Sequence, residues 1–88
     1  MRVEYDPAKA EANLRKHGVS FADATGVLED PLARTVEDPD AVGERRFVSI
    51  GQSSAGELLV VVFAERAGTY RLISARRATR KERTQYES

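Results

Sequence analysis

The period of hydrophobic and polar positions changes along the chain, and these changes predict its elements. Residues 2–5 alternate polar and apolar, which predicts a short opening strand. Asp6-Pro7 then supplies an N-cap and a proline at the first helical position, and Gly18 supplies a left-handed stop, so we expect a helix between them. Ser20 begins a second helix, whose apolar stripe comprises Phe21, Ala24, Val27 and Leu28. Two consecutive short helices predict a helical hairpin packed on one face of a sheet.

The rest of the chain mostly has the spacing of strands. Residues 32–36 and 46–50 are candidate strands, and residues 58–63 are apolar throughout, which is typical of a central strand covered on both faces. Residues 70–75 are the last candidate strand, and the T-x-x-E pattern at Thr79 predicts the capping box of a C-terminal helix. The predicted order is β-α-α-β-β-β-β-α, an α+β domain built on an antiparallel meander.

Within the first helix, spacing also predicts which side chains are buried. Ala10 and Leu14 form a thin apolar stripe, whereas Lys9, Asn13 and either Lys16 or His17 recur at spacings of three and four and so share a polar face.

Strict alternation in the last strand places its residues on two opposite faces. One face would carry Tyr70, Leu72, Ser74 and Arg76, and the other would carry Arg71, Ile73, Ala75 and Arg77.

Composition narrows the class of protein. Eighty-eight residues form one domain, residues 1–88, with little interior for a large cofactor. The chain has no cysteine, which excludes disulfides and thiolate metal sites, and its one histidine has no metal-ligand spacing around it. No stretch approaches the roughly 18 apolar residues of a membrane span, and the N-terminus lacks a signal-peptide core. We expect a cytoplasmic protein with no metal, no cofactor and no membrane partner.

The charge is balanced overall but distributed unevenly. The chain has 14 acidic and 14 basic residues. Residues 29–44 hold six acids and one base, whereas residues 66–83 hold seven bases and one acid. The basic segment suits an anionic partner, although a solvated charged surface would have the same composition.

Phosphate is the anion that the basic segment favours. Arg76 and Arg77 lie at the exit of the last strand, where Thr79 begins a helix, and guanidinium groups and helix N–H groups both suit phosphate. RNA or DNA is the commonest bearer of phosphate for such a chain. Arg66 ends the preceding strand, so a hairpin would place it far from Arg76. Tyr70 and Tyr86 could stack on bases, or each could be a core or rim residue with a satisfied hydroxyl.

The types of residue in this chain suit the cleavage of RNA. A route through a 2′,3′-cyclic phosphate needs a base, an acid and cations, and no carboxylate cluster suits a two-metal mechanism. Candidates for proton transfer are Lys9, His17, Glu65 and Tyr86. His17 could instead cap its helix, and Glu65 could form an ion pair with Arg66. The residues alone therefore indicate phosphate binding, with RNA cleavage left open.

Three stretches, "DPAKAEANLRKHGVSFADA", "VVVFAER" and "RLISARRATRKERTQYE", resemble in this order the BrnT family of type II toxin–antitoxin toxins. The resemblance implies a RelE-like fold, with two N-terminal helices against a curved antiparallel sheet and a C-terminal helix. It also implies a metal-independent ribonuclease that arrests growth and is neutralised by a BrnA-type ribbon-helix-helix antitoxin. Two toxins would pair with one antitoxin dimer, which would bind operator DNA. A non-catalytic nucleic-acid-binding or co-repressor module is the alternative.

The resemblance also implies site residues. The expected catalytic residues are Lys9, His17, Glu65, Arg66, Arg77 and Arg80, with no metal ligand. Arg76 and Tyr86, from the same resemblance, and Arg71, Lys81 and Arg83, from the basic segment, are the expected RNA-binding residues.

Overall fold

The computed structural model describes residues 2–88, which form three helices and five strands. In chain order these are β1 (Arg2–Glu4), α1 (Pro7–His17), α2 (Phe21–Glu29), β2 (Arg34–Glu37), β3 (Arg45–Gln52), β4 (Leu58–Arg66), β5 (Thr69–Arg77) and α3 (Arg80–Glu87). The predicted order and the α+β class are confirmed, with element bounds that differ by a few residues.

The five strands form one sheet in the order β1-β5-β4-β3-β2. Strands β2 to β5 are the predicted antiparallel meander, and β1 adds one parallel pairing, with Val3 opposite Tyr70. Because β1 pairs only with Thr69, Tyr70 and Arg71, the remainder of β5 has β4 on one side and a free edge on the other. Helix α1 packs along this part of β5.

Side-chain caps fix the bounds of both N-terminal helices. The Asp6 carboxylate accepts a hydrogen bond from the N–H of Ala8 at 2.9 Å. Gly18 has a φ of 69°, a left-handed conformation that glycine adopts at little cost, and its N–H donates to the Leu14 carbonyl at 2.8 Å. In α2 the Ser20 hydroxyl accepts from the N–H of Asp23 at 3.0 Å. The predicted caps are therefore present.

The core lies between the helical hairpin and one face of the sheet, which we call the hairpin face. Its fully buried side chains include Phe21, Val27, Leu59, Val61 and Leu72. Burial of this apolar surface is the main favourable contribution to folding.

Asn13 lies in this packed layer, although it was expected on a polar face. Its amide donates to the carbonyls of Val19 at 3.0 Å and Ala75 at 2.8 Å, and its oxygen accepts from the N–H of Ala75 at 3.1 Å. These bonds satisfy the amide, so its burial to 7% exposure is tolerated. Leu14 is 50% exposed, so the expected apolar stripe of this helix was wrong at that position.

A bulge in β5 divides its side chains between the two faces of the sheet. Val62 pairs with Ser74 but Phe63 pairs with Leu72, so Ile73 is an extra residue on β5. The alternation is therefore reset, and Leu72 and Ala75 both join the core. The face assignment from strict alternation was wrong because it did not allow for this bulge.

Helix α3 lies across the opposite face of the sheet, which we call the α3 face. Val60 is buried there, whereas Val36 is 65% exposed. A cavity of about 530 Å³ separates α3 from β2, β3 and β4. Among residues 2–88, no helix is long and apolar enough to cross a membrane, and no three His, Asp or Glu side chains are placed to hold a metal ion.

Candidate functional site

The predicted site residues are divided between two ends of the sheet. Arg66 pairs with Thr69 at the β4–β5 turn, which we call the turn end, whereas Arg77 pairs with Leu59 where β5 leaves the sheet, which we call the exit end. The two positions are seven residue steps apart on β4, roughly 23 Å of extended strand. Arg66 and Glu65 therefore do not join Lys9, His17 and Arg77 in one cluster.

The exit end contains a groove between α1 and the free edge of β5. Lys9, Lys16 and His17 line it on the helix side, and Ile73 and Ser74 line it on the strand side, around a volume of about 320 Å³. The spacing of Lys9, Lys16 and His17 along α1 turns all three toward β5. Asn13, which lies between them and bonds to β5, fixes the distance between helix and strand. Two of the predicted catalytic residues, Lys9 and His17, thus share one groove.

Arg77 is held beside the end of α1. Its Nη1 donates to the His17 carbonyl at 3.1 Å, and its Nε donates to the Glu57 carboxylate at 2.9 Å. The carbonyl ends of a helix attract cations, so the guanidinium is favoured at this position. The Arg77 side chain remains 56% exposed, which leaves it accessible to a ligand.

Arg76 points to the α3 face, and it has a structural partner. Its Nη1 and Nη2 each donate to the Glu82 carboxylate at 2.8 Å. Chiefly because of these hydrogen bonds from Arg76, the pKa of Glu82 falls to about 2, although partial burial opposes the shift. Glu82 also accepts from the N–H of Thr79 at 2.9 Å and so completes the predicted capping box. Arg76 therefore anchors the start of α3 to the sheet.

Tyr70 and Tyr86, the two tyrosines considered for RNA contact, both have contacts within the protein. The Tyr70 ring packs edge to face on Phe63 at 5.3 Å between centroids. The Tyr86 hydroxyl donates to Asp30 at 2.7 Å, and this bond raises the pKa of Tyr86. Partial burial by itself raises the pKa of Asp30, but hydrogen bonds from the Gln52 N–H, from Tyr86 and from the Leu32 N–H together lower it. Tyr86 therefore joins α3 to the end of α2.

Three further basic side chains surround the exit end on α3. Arg83 lines a hollow of about 200 Å³ together with Arg77 and Glu57. Arg80 and Lys81 are exposed in the first turn of the helix. Within residues 2–88 no ion pair is formed by Lys9, Lys16, Arg80, Lys81 or Arg83. The exit end therefore keeps positive charge that no acidic side chain neutralises.

The arginines of the turn end are paired instead. Glu44 lies within 4 Å of Arg46, Arg66 and Arg71, at 3.9, 3.9 and 2.9 Å. Glu65 lies 3.5 Å from Arg45 and accepts from the N–H of Gly68. Part of the acidic segment of the sequence thus neutralises bases of its own chain.

Sequence reasoning missed two residues of the turn end, Glu44 and Arg46. They come from the β2–β3 connection and the start of β3, far from Arg66 and Arg71 along the chain. Only the strand register, with Arg46 opposite Ala64 and Ala64 opposite Arg71, brings them together.

Comparison with known proteins identifies the fold. A family model described as the ribonuclease toxin, BrnT, of type II toxin–antitoxin systems matches residues 5–82. The chain is also similar to the 1.1 Å crystal structure of the Brucella abortus ribonuclease toxin, BrnT, with 25% sequence identity and a TM-score of 0.66 over 91% of this chain and 99% of that chain. No curated protein matches the chain. The matched residues include α1, β5 and the first turn of α3.

Proposed function

Because this chain belongs to the BrnT family of ribonuclease toxins of type II toxin–antitoxin systems, we propose that it cleaves RNA without a metal ion and that the exit end is the cleavage site. The observation that carries this proposal is the groove in which Lys9, Lys16 and His17 face the free edge of β5, with Arg77 held at its end. Cytoplasmic RNA is the substrate.

The chemistry is an internal transfer on the RNA strand. The 2′-oxygen attacks the adjacent phosphorus, the bond from phosphorus to the 5′-oxygen breaks, and a 2′,3′-cyclic phosphate and a 5′-hydroxyl result. One group takes the proton of the 2′-hydroxyl and another protonates the leaving 5′-oxygen. We assign these transfers to His17 and Lys9, because histidine titrates near neutral pH and both line the groove.

The developing negative charge is stabilised by the cations of the exit end. Arg77 is oriented by a backbone carbonyl and a carboxylate, so little reorganisation is needed when the phosphate becomes more negative. Arg80, Arg83 and Lys81 add positive potential from α3. The turn end suits the cleavage step less well, because its arginines are paired with acidic groups.

Antitoxin-free protein tests the proposal on a labelled RNA in EDTA. We expect cleavage products that end in a 2′,3′-cyclic or 3′-phosphate and begin with a 5′-hydroxyl. Activity that is lost in EDTA and restored by magnesium would contradict the metal-independent route. RNA that is bound but never cut would favour the alternative, a non-catalytic nucleic-acid-binding or co-repressor module.

Two substitutions on α3 separate binding from chemistry. Arg80→Ala should slow cleavage by on the order of a hundredfold if this guanidinium stabilises the transition state. Lys81→Ala should mainly reduce the salt dependence of RNA binding. Small and equal losses in both variants would indicate a diffuse basic surface in place of an organised site.

The antitoxin is the second partner that we propose. A BrnA-type ribbon-helix-helix antitoxin would cover the exit end with acidic or apolar side chains and bind operator DNA through its own dimer. Such interfaces typically bury about 1,600 Å². A two-fold dimer presents two equivalent surfaces, so two toxins should bind one antitoxin dimer. Light scattering of the co-expressed pair checks this, and a 1:1 heterodimer would contradict it.

A further inference from the structure

At the turn end, one acidic side chain lies beside three arginines, which carry more positive charge than one carboxylate neutralises. Three guanidinium groups, those of Arg46, Arg66 and Arg71, face the single carboxylate of Glu44. The Glu44 side chain is only 16% exposed, so this charge is largely shielded from water. Glu4 lies opposite Arg71 in the parallel ladder and lines the adjoining cavity of about 190 Å³. Without Glu44, three positive charges would face Glu4 alone.

The carboxylate satisfies only one of the three arginines. Arg71 Nη2 donates to both oxygens of Glu44, at 2.9 and 3.0 Å. The nearest nitrogens of Arg46 and Arg66 are each 3.9 Å away, beyond hydrogen-bond distance. The Nε of Arg46 is buried and has no hydrogen-bond partner in the described part of the chain. A buried donor without an acceptor is costly. Because Arg46 and Arg66 both stay 3.9 Å from the carboxylate, the three arginines together suit an anion larger than a carboxylate.

Glu44 follows a segment that makes few packing contacts. It follows Gly43, which has a φ of 86° and no atom near the position that a Cβ would occupy. Val42, one residue earlier, is 93% exposed. No packed side chain therefore anchors the segment just before Glu44, and the contacts that hold its carboxylate are those with the arginines.

We propose that Arg46, Arg66 and Arg71 form a phosphate-binding subsite for RNA, and that Glu44 occupies it until a phosphodiester displaces the carboxylate. The inference rests on the proposed function, which supplies RNA as the ligand. A phosphodiester matches a carboxylate in charge and in its pair of free oxygens, so Arg71 can bind either one. The tetrahedral group is larger, so its oxygens come closer to Arg46 and Arg66 than those of Glu44 do.

The subsite lies along the same strand as the cleavage groove. Arg71 and Ser74 are three residues apart on β5, roughly 10 Å along an extended strand. One RNA strand can therefore contact the groove and the subsite together. Because Glu44 competes for the arginines, a ligand that also binds the exit end displaces it more readily than a free anion does.

Removal of the Glu44 charge tests the subsite directly. We would measure binding of a labelled, fully 2′-O-methylated RNA oligonucleotide, which has no 2′-hydroxyl and cannot be cleaved by the proposed route. Glu44→Gln should bind it roughly fivefold or more tightly than the control Glu37→Gln, because a neutral side chain competes less for the arginines and an ion pair about 4 Å long is worth about that factor even in water. Glu37 is a matched control, since it lies at the same end and pairs with Arg45 alone.

A second pair of variants keeps the test decisive if Glu44→Gln does not fold. Arg46→Gln should weaken binding of the same oligonucleotide several-fold, whereas Arg45→Gln should not, although the two residues are neighbours on β3. Equal affinities for Glu44→Gln and Glu37→Gln, or weaker binding by Glu44→Gln, would overturn the proposal. If Glu44→Gln gains affinity for an acidic peptide but not for the oligonucleotide, the subsite belongs to a protein partner. That result would also overturn the proposal.

Unmodified RNA of the same sequence separates this inference from the proposed function. If wild-type protein cuts that RNA but Glu44→Gln binds no more tightly than its control, only the subsite is refuted. If the RNA is bound more tightly by Glu44→Gln but never cut, the subsite stands and the proposed cleavage fails.

Discussion

The ion pair between Arg76 and Glu82 gives the sharpest prediction for stability. Glu82→Gln keeps a side-chain oxygen for the N–H of Thr79, so the capping bond at 2.9 Å can survive. The substitution removes the negative charge that accepts two hydrogen bonds from Arg76 at 2.8 Å. We expect it to destabilise the protein by weakening the contact between α3 and the sheet.

The magnitude follows from the pKa of Glu82, which falls from 4.5 to about 2, mainly through the hydrogen bonds from Arg76. A shift of roughly 2.5 units at ~1.36 kcal/mol each sets a ceiling of about 3 kcal/mol. The side chains of Glu82 and Arg76 are 22% and 42% exposed, so solvent screens the pair. We therefore expect a loss of about 1–2 kcal/mol in the free energy of unfolding.

The stabilisation of the fold by this ion pair depends on pH, and the direction of the change follows from the pKa of Glu82. Because the folded-state pKa of Glu82 is depressed, its stabilisation is complete above pH 4.5 and is lost as the pH falls toward 2. The difference in unfolding free energy between wild type and Glu82→Gln should therefore be largest near pH 7 and fall by roughly half by pH 3.

Urea denaturation at pH 7 and pH 3 measures this difference. Glu87→Gln is the matched control, since it removes a charge from the other end of the same helix and should change stability by less than about 0.5 kcal/mol. A difference that is absent at pH 7, or that is the same at both pH values, would refute the reasoning.

Two further substitutions test contacts that position the site. Asn13→Leu removes the partners of the Val19 carbonyl and of both backbone groups of Ala75, so it should cost about 2–4 kcal/mol in urea denaturation. If the free energy of unfolding hardly changes, water or backbone movement must satisfy these backbone groups in the variant. Tyr86→Phe removes one hydrogen bond to Asp30 and should raise the pKa of that carboxyl, measured by NMR titration. An unchanged pKa would contradict the contact.

The sequence was sufficient to predict the elements because their caps and periods are local. Asp6, Gly18, Ser20 and Thr79 all have the capping roles expected of them. The parallel pairing of β1 with β5 was not predicted, because it depends on how distant segments dock. The buried Asn13 was also missed, since its partners are the carbonyl of a loop residue and the backbone of a strand 62 residues away.

The candidate site was predicted only in part, because it too depends on how distant segments of the chain pack together. Lys9 and His17 line one groove and Arg77 bonds to the His17 carbonyl, as expected, but Glu65 and Arg66 lie at the turn end and Arg76 is held by Glu82. The bulge at Ile73 leaves no clear pattern in the sequence, so the face of each β5 side chain had to come from the structure.

The central claim is that side chains of the exit end cleave RNA, and single-turnover cleavage in EDTA tests it most directly. His17→Asn keeps the backbone carbonyl that holds Arg77 and removes only the imidazole. Arg15→Ala is the control, since its side chain lies on the same helix and is 71% exposed. We expect His17→Asn to cleave at least about a hundredfold more slowly than Arg15→Ala, with both proteins equally folded. Equal rates in the two variants would contradict the assignment of the cleavage site to this groove.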